Sequence, residues 1–250
     1  MASKSRVLLK EIAESTLKAT ENGSFILNNQ THRLTSSAIN THLYSPSDLS
    51  KWSSASPNPS PMKRPQISVF QISTLEAARL LSDSAIASTT GRSANVGVLN
   101  FASAKKPGGG FLSGAQAQEE SIARSSTIYQ SLISTSAHEF YASHNRDPSS
   151  GYYSHAMIWS PDVTVFRDDK GRWTEPFLIN VVTSPAVNAG VVRKCASDAT
   201  REENNIESVM KERMARILYV FESRGVTKVR VFKSCLLCEG PSFLTEGTTL

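Results

Sequence analysis

Residues 95–132 read NVGVLNFASAKKPGGGFLSGAQAQEESIARSSTIYQSL, and the rest of the chain is interpreted outward from them. Asn95–Phe101 is apolar and β-prone, which predicts a strand. A small-residue stretch leads from it into Gly108, Gly109 and Gly110. After seven more residues, Gln118-Glu119-Glu120 stands near the start of a predicted helix from about Ala117 to Leu132. Three adjacent glycines cost backbone entropy on folding. That cost is tolerable where the backbone must approach a ligand closely, and bare amides there form an anion-binding concavity. Neighbouring residues on a helix point about 100° apart, so the two carboxylates are expected to divide their work. One faces a scissile bond while the other holds ligand hydroxyls or orients the first. A surface loop followed by two solvated carboxylates, favoured by the positive end of the helix dipole, accounts for the same residues.

Helical spacing of Val7, Leu8, Ile12 and Leu17 predicts a helix over 6–20, closed by Gly23. The Ser- and Pro-rich stretch Ser45–Pro61 reads as an exposed loop. Gln66–Ile72 is expected to be a strand, and Ser73-Thr-Leu-Glu76 spells a capping box that opens a helix to about Leu81. Downstream, Met157–Trp159 and Val163–Phe166 predict two short strands, with turn chemistry at Asp168–Gly171. Pro176–Thr183 is the most continuous apolar run, as in a buried central strand. A long helix is expected over Asp198–Arg224, with Ile206, Met210, Met214, Ile217, Leu218 and Phe221 as its core stripe. Gly225 ends it, and Lys228–Phe232 begins another strand. Alternating helices and strands predict an α/β layered domain.

The chain has 250 residues, enough for one good-sized domain. Hydrophobic content of 39% with 20% charged residues excludes both disordered and membrane-spanning classes. Charges break up the apolar residues at Met1–Lys10 before a signal-peptide core can form, and three cysteines cannot build a disulfide framework. An intracellular setting, cytoplasmic or nuclear, is therefore expected. The net charge of +5 suits an anionic ligand, but solubility explains it equally well. No Gly-Lys-Ser/Thr follows the glycines, which excludes a nucleotide-binding P-loop. His138 and His144 are six apart rather than four, so they do not form a zinc-protease helix. Cys235 and Cys238 with Cys195 lack a fourth ligand and read as structural thiols. No metal and no cofactor is expected.

The run Gly-Gly-Gly, seven residues, Gln-Glu-Glu resembles the signature of the poly(ADP-ribose) glycohydrolases, and NFASAKKPGGGFLSGAQAQEES is similar to their microbial-type branch. YYSHAMIWSPDVTVFRDDKG at 152–171, FLINVVTSPAVNAGVV at 177–192 and the helix at 206–225 follow the same family in order and spacing. The resemblance covers about residues 5–231 of a single catalytic domain spanning 1–250. It implies a three-layer α/β/α macrodomain-like fold with a mixed central sheet, binding ADP-ribose at the loop end of the sheet. It implies hydrolysis of ribose–ribose O-glycosidic bonds, with Glu120 as acid and then base and Glu119 positioning the scissile ribose. Gly108, Gly109, Gly110 and Phe111 match the loop against that ribose and the diphosphate. Asn100 and Ser103 line its approach, Gln118 completes the motif, and Ser184, Pro185 and Asn188 lie in a loop beside the ligand. Animal-type members have Phe-Ala-Asn where this chain has Phe101-Ala102-Ser103. Lys105 and Lys106 either assist phosphate binding or are merely solvated. The expected partners are poly(ADP-ribose) or ADP-ribose and ADP-ribosylated proteins, with no membrane, no sequence-specific nucleic acid and a monomeric state. An ADP-ribose-binding module without activity is the rival reading, but such modules usually lack paired glutamates.

After Val231 the sequence departs from the family. A second glycine loop of the type Gly-x-x-Gly-Cys-Gly-Val-Phe is expected there, followed by a helix and a strand. The chain instead runs Phe232-Lys-Ser-Cys-Leu-Leu-Cys-Glu-Gly240, with Gly247 the only later glycine. An incomplete fold at the C-terminus and a poor or inactive enzyme are expected on that basis.

Overall fold

A computed structural model describes residues 2–54, 66–86, 95–146, 151–195 and 198–231. The divergent tail, with Cys235 and Cys238, lies outside the described residues, as does the Ser/Pro stretch from residue 55 to Pro61. The described elements are α1 (Ala2–Glu21), β1 (Ser24–Leu27), β2 (Gln30–Arg33), β3 (His42–Tyr44), α2 (Thr74–Ile86), β4 (Val96–Ala102), α3 (Gln118–Ser125), α4 (Ile128–Leu132), α5 (Thr135–Arg146), β5 (Met157–Arg167), β6 (Trp173–Pro185), α6 (Ala189–Cys195), α7 (Ala199–Ser223) and β7 (Lys228–Arg230).

Five strands form a mixed sheet in the order β3-β5-β6-β4-β7, while β1 and β2 pair separately as a hairpin. β4 runs parallel to both β6 and β7, and β5 is antiparallel to β3 and β6. Strand alternation sends Val98, Ile158 and Val181 to one face, where Ala13, Leu75, Ala78, Ile122, Ile128 and Phe140 from α1 to α5 cover them. Leu99, Trp159 and Val182 point to the other face, against Ile217, Val220 and Phe221 of α7. This is the three-layer α/β/α arrangement. Burying each of those α7 side chains is worth about 1.5–3 kcal/mol, so α7 is fixed by packing more than by helix propensity. A Cβ at Gly97 would stand 2.6 Å from the Phe221 ring and 2.7 Å from Val226, so glycine lets α7 close onto β4.

Several elements follow their local chemistry. Ser73 N–H donates to Glu76 Oε2 at 3.1 Å and Glu76 N–H to Ser73 Oγ at 3.0 Å, so the capping box forms and α2 runs on to Ile86. Asp198 caps α7 by accepting the Arg201 N–H at 3.1 Å. Pro176–Thr183 lies within the central strand β6, and Asp168–Gly171 makes its turn, Asp168 accepting from the Lys170 and Arg172 amides.

Other expectations are corrected. Gln66–Ile72 is not a strand; Ile67, Val69 and Phe70 are exposed and the segment joins no ladder among the described residues. The predicted 117–132 helix breaks into α3 and α4. At the break Ser126 is extended and bridges to Val165, its Oγ bonds the Ile122 carbonyl at 2.7 Å, and Thr127 N–H donates to Thr164 O at 3.0 Å. Hydroxyl side chains competing for backbone partners stop a helix this way. Conversely, the two predicted strands at 157–166 are one strand, β5, kinked by a bulge between Ser160 and Val163 with Asp162 at φ 52°. In α1, Val7 and Leu8 are exposed, and the buried side carries Ala13, Thr16 and Ala19. Leu218 of the predicted α7 stripe is 48% exposed, with Val220 buried in its stead. The β1–β2 hairpin, β3, α5 and α6 were not anticipated. Among the described residues no helix is long and apolar enough to cross a membrane, and no group of three or more His, Cys, Asp or Glu is placed to hold a metal ion.

Candidate functional site

The parallel strands β4 and β6 end side by side, with Phe101 opposite Ser184 and Ala102 opposite Pro185. The carboxyl ends of parallel strands are where α/β sheets bind ligands. The glycine loop leaves from the end of β4 and folds back over the start of α3. Gln118 fixes this geometry. Its Oε1 accepts the Phe101 N–H at 3.1 Å, and its Nε2 donates to the Leu99 carbonyl at 2.9 Å and to Thr74 Oγ1 at 3.2 Å. The amide thus extends the β4 ladder and ties β4, α3 and α2 together. Its polar atoms are spent on the protein, so it acts as a strap, against its expected place among the ligand contacts.

Glu119 and Glu120 follow on the first turn of α3, both buried. Glu119 Oε2 accepts the Ser103 N–H at 2.7 Å, and its Oε1 is buried with no hydrogen-bond partner among the described residues. Glu120 Oε1 accepts the Gly110 N–H at 2.9 Å, and its Oε2 accepts the Ala117 N–H at 3.0 Å, which caps the helix. The glycine loop folds over both carboxylates. A Cβ at Gly109 would stand 2.5 Å from Glu120 Oε1 and 3.0 Å from Glu119 Oε2, and Gly109 has φ +57°. Glycine is required there twice, by space and by the left-handed conformation.

Burial pushes the Glu119 carboxyl up to about 8, against the Ser103 amide, which favours the charged form, and with help from the Glu120 charge beside it. At neutral pH Glu119 is therefore mainly protonated. Burial also raises the Tyr141 phenol, and the nearby Glu119 adds to that.

An open cleft of about 500 Å³ lies over this turn, lined by Ser103, Lys106, Gly109, Gly110, Leu112, Ser113 and Glu120. Four of these were expected at the site, and Lys106 had been weighed as phosphate-assisting or solvated. Leu112 and Ser113 were missed, because no local signal marks the short 3-10 turn Phe111–Ser113 that brings them there. Phe111 is 1% exposed, packed under the loop with its ring 4.7 Å from that of Tyr129. It supports the loop from beneath and does not line the cleft. Gly108, also buried, sits above Phe111 and Tyr129. Asn100 is fully buried, its Nδ2 3.2 Å from Thr183 Oγ1 and its Oδ1 unpartnered among the described residues. Ser184 and Pro185 are buried at the end of β6, Ser184 Oγ being unpartnered among the described residues. Asn188 is exposed, and its Oδ1 accepts the Val191 N–H at 3.2 Å at the start of α6. Lys105 and Lys106 are exposed, their amides donating to Ser103 Oγ at 3.3 and 3.1 Å.

The catalytic-domain model of the microbial-type poly(ADP-ribose) glycohydrolases matches residues 13–168. The chain is similar to the crystal structure of poly(ADP-ribose) glycohydrolase from Thermomonospora curvata, with 35% identity, TM-score 0.78, and coverage of 90% of this chain and 78% of that one. The same enzyme bound to the inhibitor ADP-HPD matches with TM-score 0.76, 35% identity and the same coverage, 90% and 78%. The enzyme from Deinococcus radiodurans in complex with ADP-ribose matches at 32% identity and TM-score 0.66, over 77% of this chain and 72% of that one. No curated protein matches the chain.

Proposed function

This chain belongs to the microbial-type poly(ADP-ribose) glycohydrolase family, and from that premise we propose that it hydrolyses the ribose–ribose O-glycosidic bonds of poly(ADP-ribose), releasing ADP-ribose, through Glu120 and Glu119. The observation that carries the reading is the pair of buried carboxylates on the first turn of α3, gathered under Gly109 at a cleft. Solvated carboxylates on a surface loop would have neither the burial nor the amide partners.

The roles divide by environment. Glu120 reaches the cleft, and both its oxygens are aimed by backbone amides. Loaded with a proton from solvent at the open cleft once the anionic substrate is bound, it gives that proton to the departing ribose oxygen as the anomeric C–O bond breaks. It then takes a proton from the water that adds to the oxocarbenium-like centre, which restores the acid. Glu119, protonated at neutral pH, has its Oε1 available to bond a ribose hydroxyl and fix the sugar. A neutral Glu119 also limits the negative charge that an approaching diphosphate meets. Gly108, Gly109 and Gly110 form the wall against the ribose and diphosphate, with Ser103 at its edge and Phe111 as its support. Asn188 stands exposed beyond the end of β6 on the ligand side, backed by the buried Asn100, Ser184 and Pro185, and Lys106 adds a cation at the cleft. The protein acts as a single catalytic domain and a monomer, on polymer carried by ADP-ribosylated proteins.

The test is release of ADP-ribose from the polymer by the purified chain beside Glu120→Gln, with ADP-ribose binding measured by calorimetry. Turnover by the wild type alone supports the enzyme. Binding without turnover by either protein leaves only an ADP-ribose-binding module.

A further inference from the structure

One guanidinium in α7 has no access to solvent. Arg213 is 0% exposed. Its Nη1 donates to the Pro185 carbonyl at 2.8 Å, and its Nη2 donates to the Tyr152 carbonyl at 2.8 Å and the Tyr153 carbonyl at 3.1 Å. Among the described residues no carboxylate bonds it. The adjacent Glu212 instead bonds Arg216 Nε at 3.0 Å and lies 3.7 Å from His155 Nε2. Burial pushes the Arg213 guanidinium down to about 10, a measure of how poorly the site solvates it. An apolar side chain of similar size would fill this space at less cost. What arginine adds is a planar fork that bonds several oxygens in fixed directions.

The three carbonyls come from two segments that meet at the ligand end of the sheet. Pro185 is the last residue of β6 and pairs with Ala102, the last of β4, from which the glycine loop departs. Tyr153 is held at φ 56°, a left-handed conformation that bulky residues seldom adopt. A second tie joins the same segments, Asn188 N–H donating to Gly151 O at 2.7 Å.

We propose that Arg213 is a positioning residue for ligand binding, clamping the Pro185–Asn188 loop to the Tyr152–Tyr153 segment so that the strand end next to Ser103, where the cleft begins, is built before ADP-ribose arrives. The role rests on the reading that the cleft takes ADP-ribose. Fixing a loop in its bound form saves the ordering cost on binding, so loosening it weakens affinity. Glu119 and Glu120 are held by the glycine loop and not by Arg213, so the chemical step is spared.

The experiment compares Arg213→Lys, which keeps the charge and loses the fork, with Phe25→Leu, a cavity variant in the aromatic cluster around the β1–β2 hairpin, at temperatures where both are equally far below their Tm. Arg213→Lys is expected to raise the ADP-ribose Kd and the polymer KM together by about tenfold, with kcat changed by less than about twofold. Phe25→Leu is expected to leave all three unchanged, which separates positioning from loss of stability. Native-state hydrogen exchange of the wild type covers the case in which Arg213→Lys does not fold. ADP-ribose must then protect amides in 151–156 and 186–192 together, and protection of 186–192 alone overturns the clamp. An active wild type with unchanged Kd and KM in Arg213→Lys, or a fall confined to kcat, overturns the role and leaves the function standing. A wild type that neither cleaves polymer nor binds ADP-ribose refutes the function and the role with it.

Discussion

Replacing Glu119 by Gln tests the electrostatics of the site directly. The amide keeps the size of the side chain and an oxygen to accept the Ser103 N–H, and removes only the ionisation. In the folded chain burial raises this carboxyl from 4.5 to about 8. Between those pH values the unfolded chain has released a proton that the folded one retains, so stability falls as pH rises through that window. The contribution is fully present below about 4.5 and lost above about 8. A difference of about 3.5 pH units at about 1.4 kcal/mol each sets a ceiling near 5 kcal/mol. Relaxation and water entry reduce it to about 2–4 kcal/mol. Urea denaturation of both proteins from pH 4.5 to 8.5 reads this out. Wild type and Glu119→Gln should have similar unfolding free energies at the acid end, and the variant should gain steadily towards pH 8.5. A constant offset between the two curves would refute a buried, proton-holding Glu119.

Three further substitutions probe the same turn. Glu120→Gln should lower release of ADP-ribose from the polymer by about 10²–10⁴-fold with calorimetric ADP-ribose affinity largely kept; turnover like that of the wild type would remove Glu120 from the chemistry. Gly109→Ala places a methyl 2.5 Å from Glu120 Oε1 at φ +57°. It should cost about 1–2 kcal/mol of stability for the backbone alone, and kcat should fall at least tenfold as the carboxylates are displaced; steady-state kinetics beside urea denaturation separate the two. Gln118→Leu strands the Phe101 N–H and the Leu99 carbonyl. At about 1–3 kcal/mol for an unpaired buried group, urea denaturation should show a loss of about 2 kcal/mol or more, with lower kcat from a loosened α3.

The legible parts of the fold are those whose information is local. The capping box at Ser73 and Glu76 forms as spelled, and Asp198 caps α7. The β1–β2 hairpin is local too, since Asn28 and Asn29 take φ 50° and 62° in its turn and asparagine is among the residues that tolerate this. The break at Ser126 was less so. Its hydroxyls hint at it, but the bridge to Val165 that stabilises the extended residue comes from a strand thirty-nine positions on. Gln66–Ile72 has the composition of a strand but joins no ladder among the described residues, and composition carries no information about pairing.

By itself the sequence determined the α/β class, the central position of Pro176–Thr183 and the family, because apolar periodicity, caps and a motif of glycines and glutamates are properties of neighbouring residues. It also marked Glu119 and Glu120 as the candidate pair. Tertiary structure alone decided the surroundings of each. Only the folded loop buries Glu119 deeply enough to hold a proton and turns the Gly110 amide onto Glu120. Only the packing assigns Gln118 and Phe111 to support and brings Leu112 and Ser113 to the cleft. Arg213 is the furthest case, for nothing in the spacing of an arginine on a long helix tells that its guanidinium will meet carbonyls 28 and 61 residues away. Desolvation and long-range hydrogen bonds depend on which segments the fold brings together, and that is set by the whole chain at once.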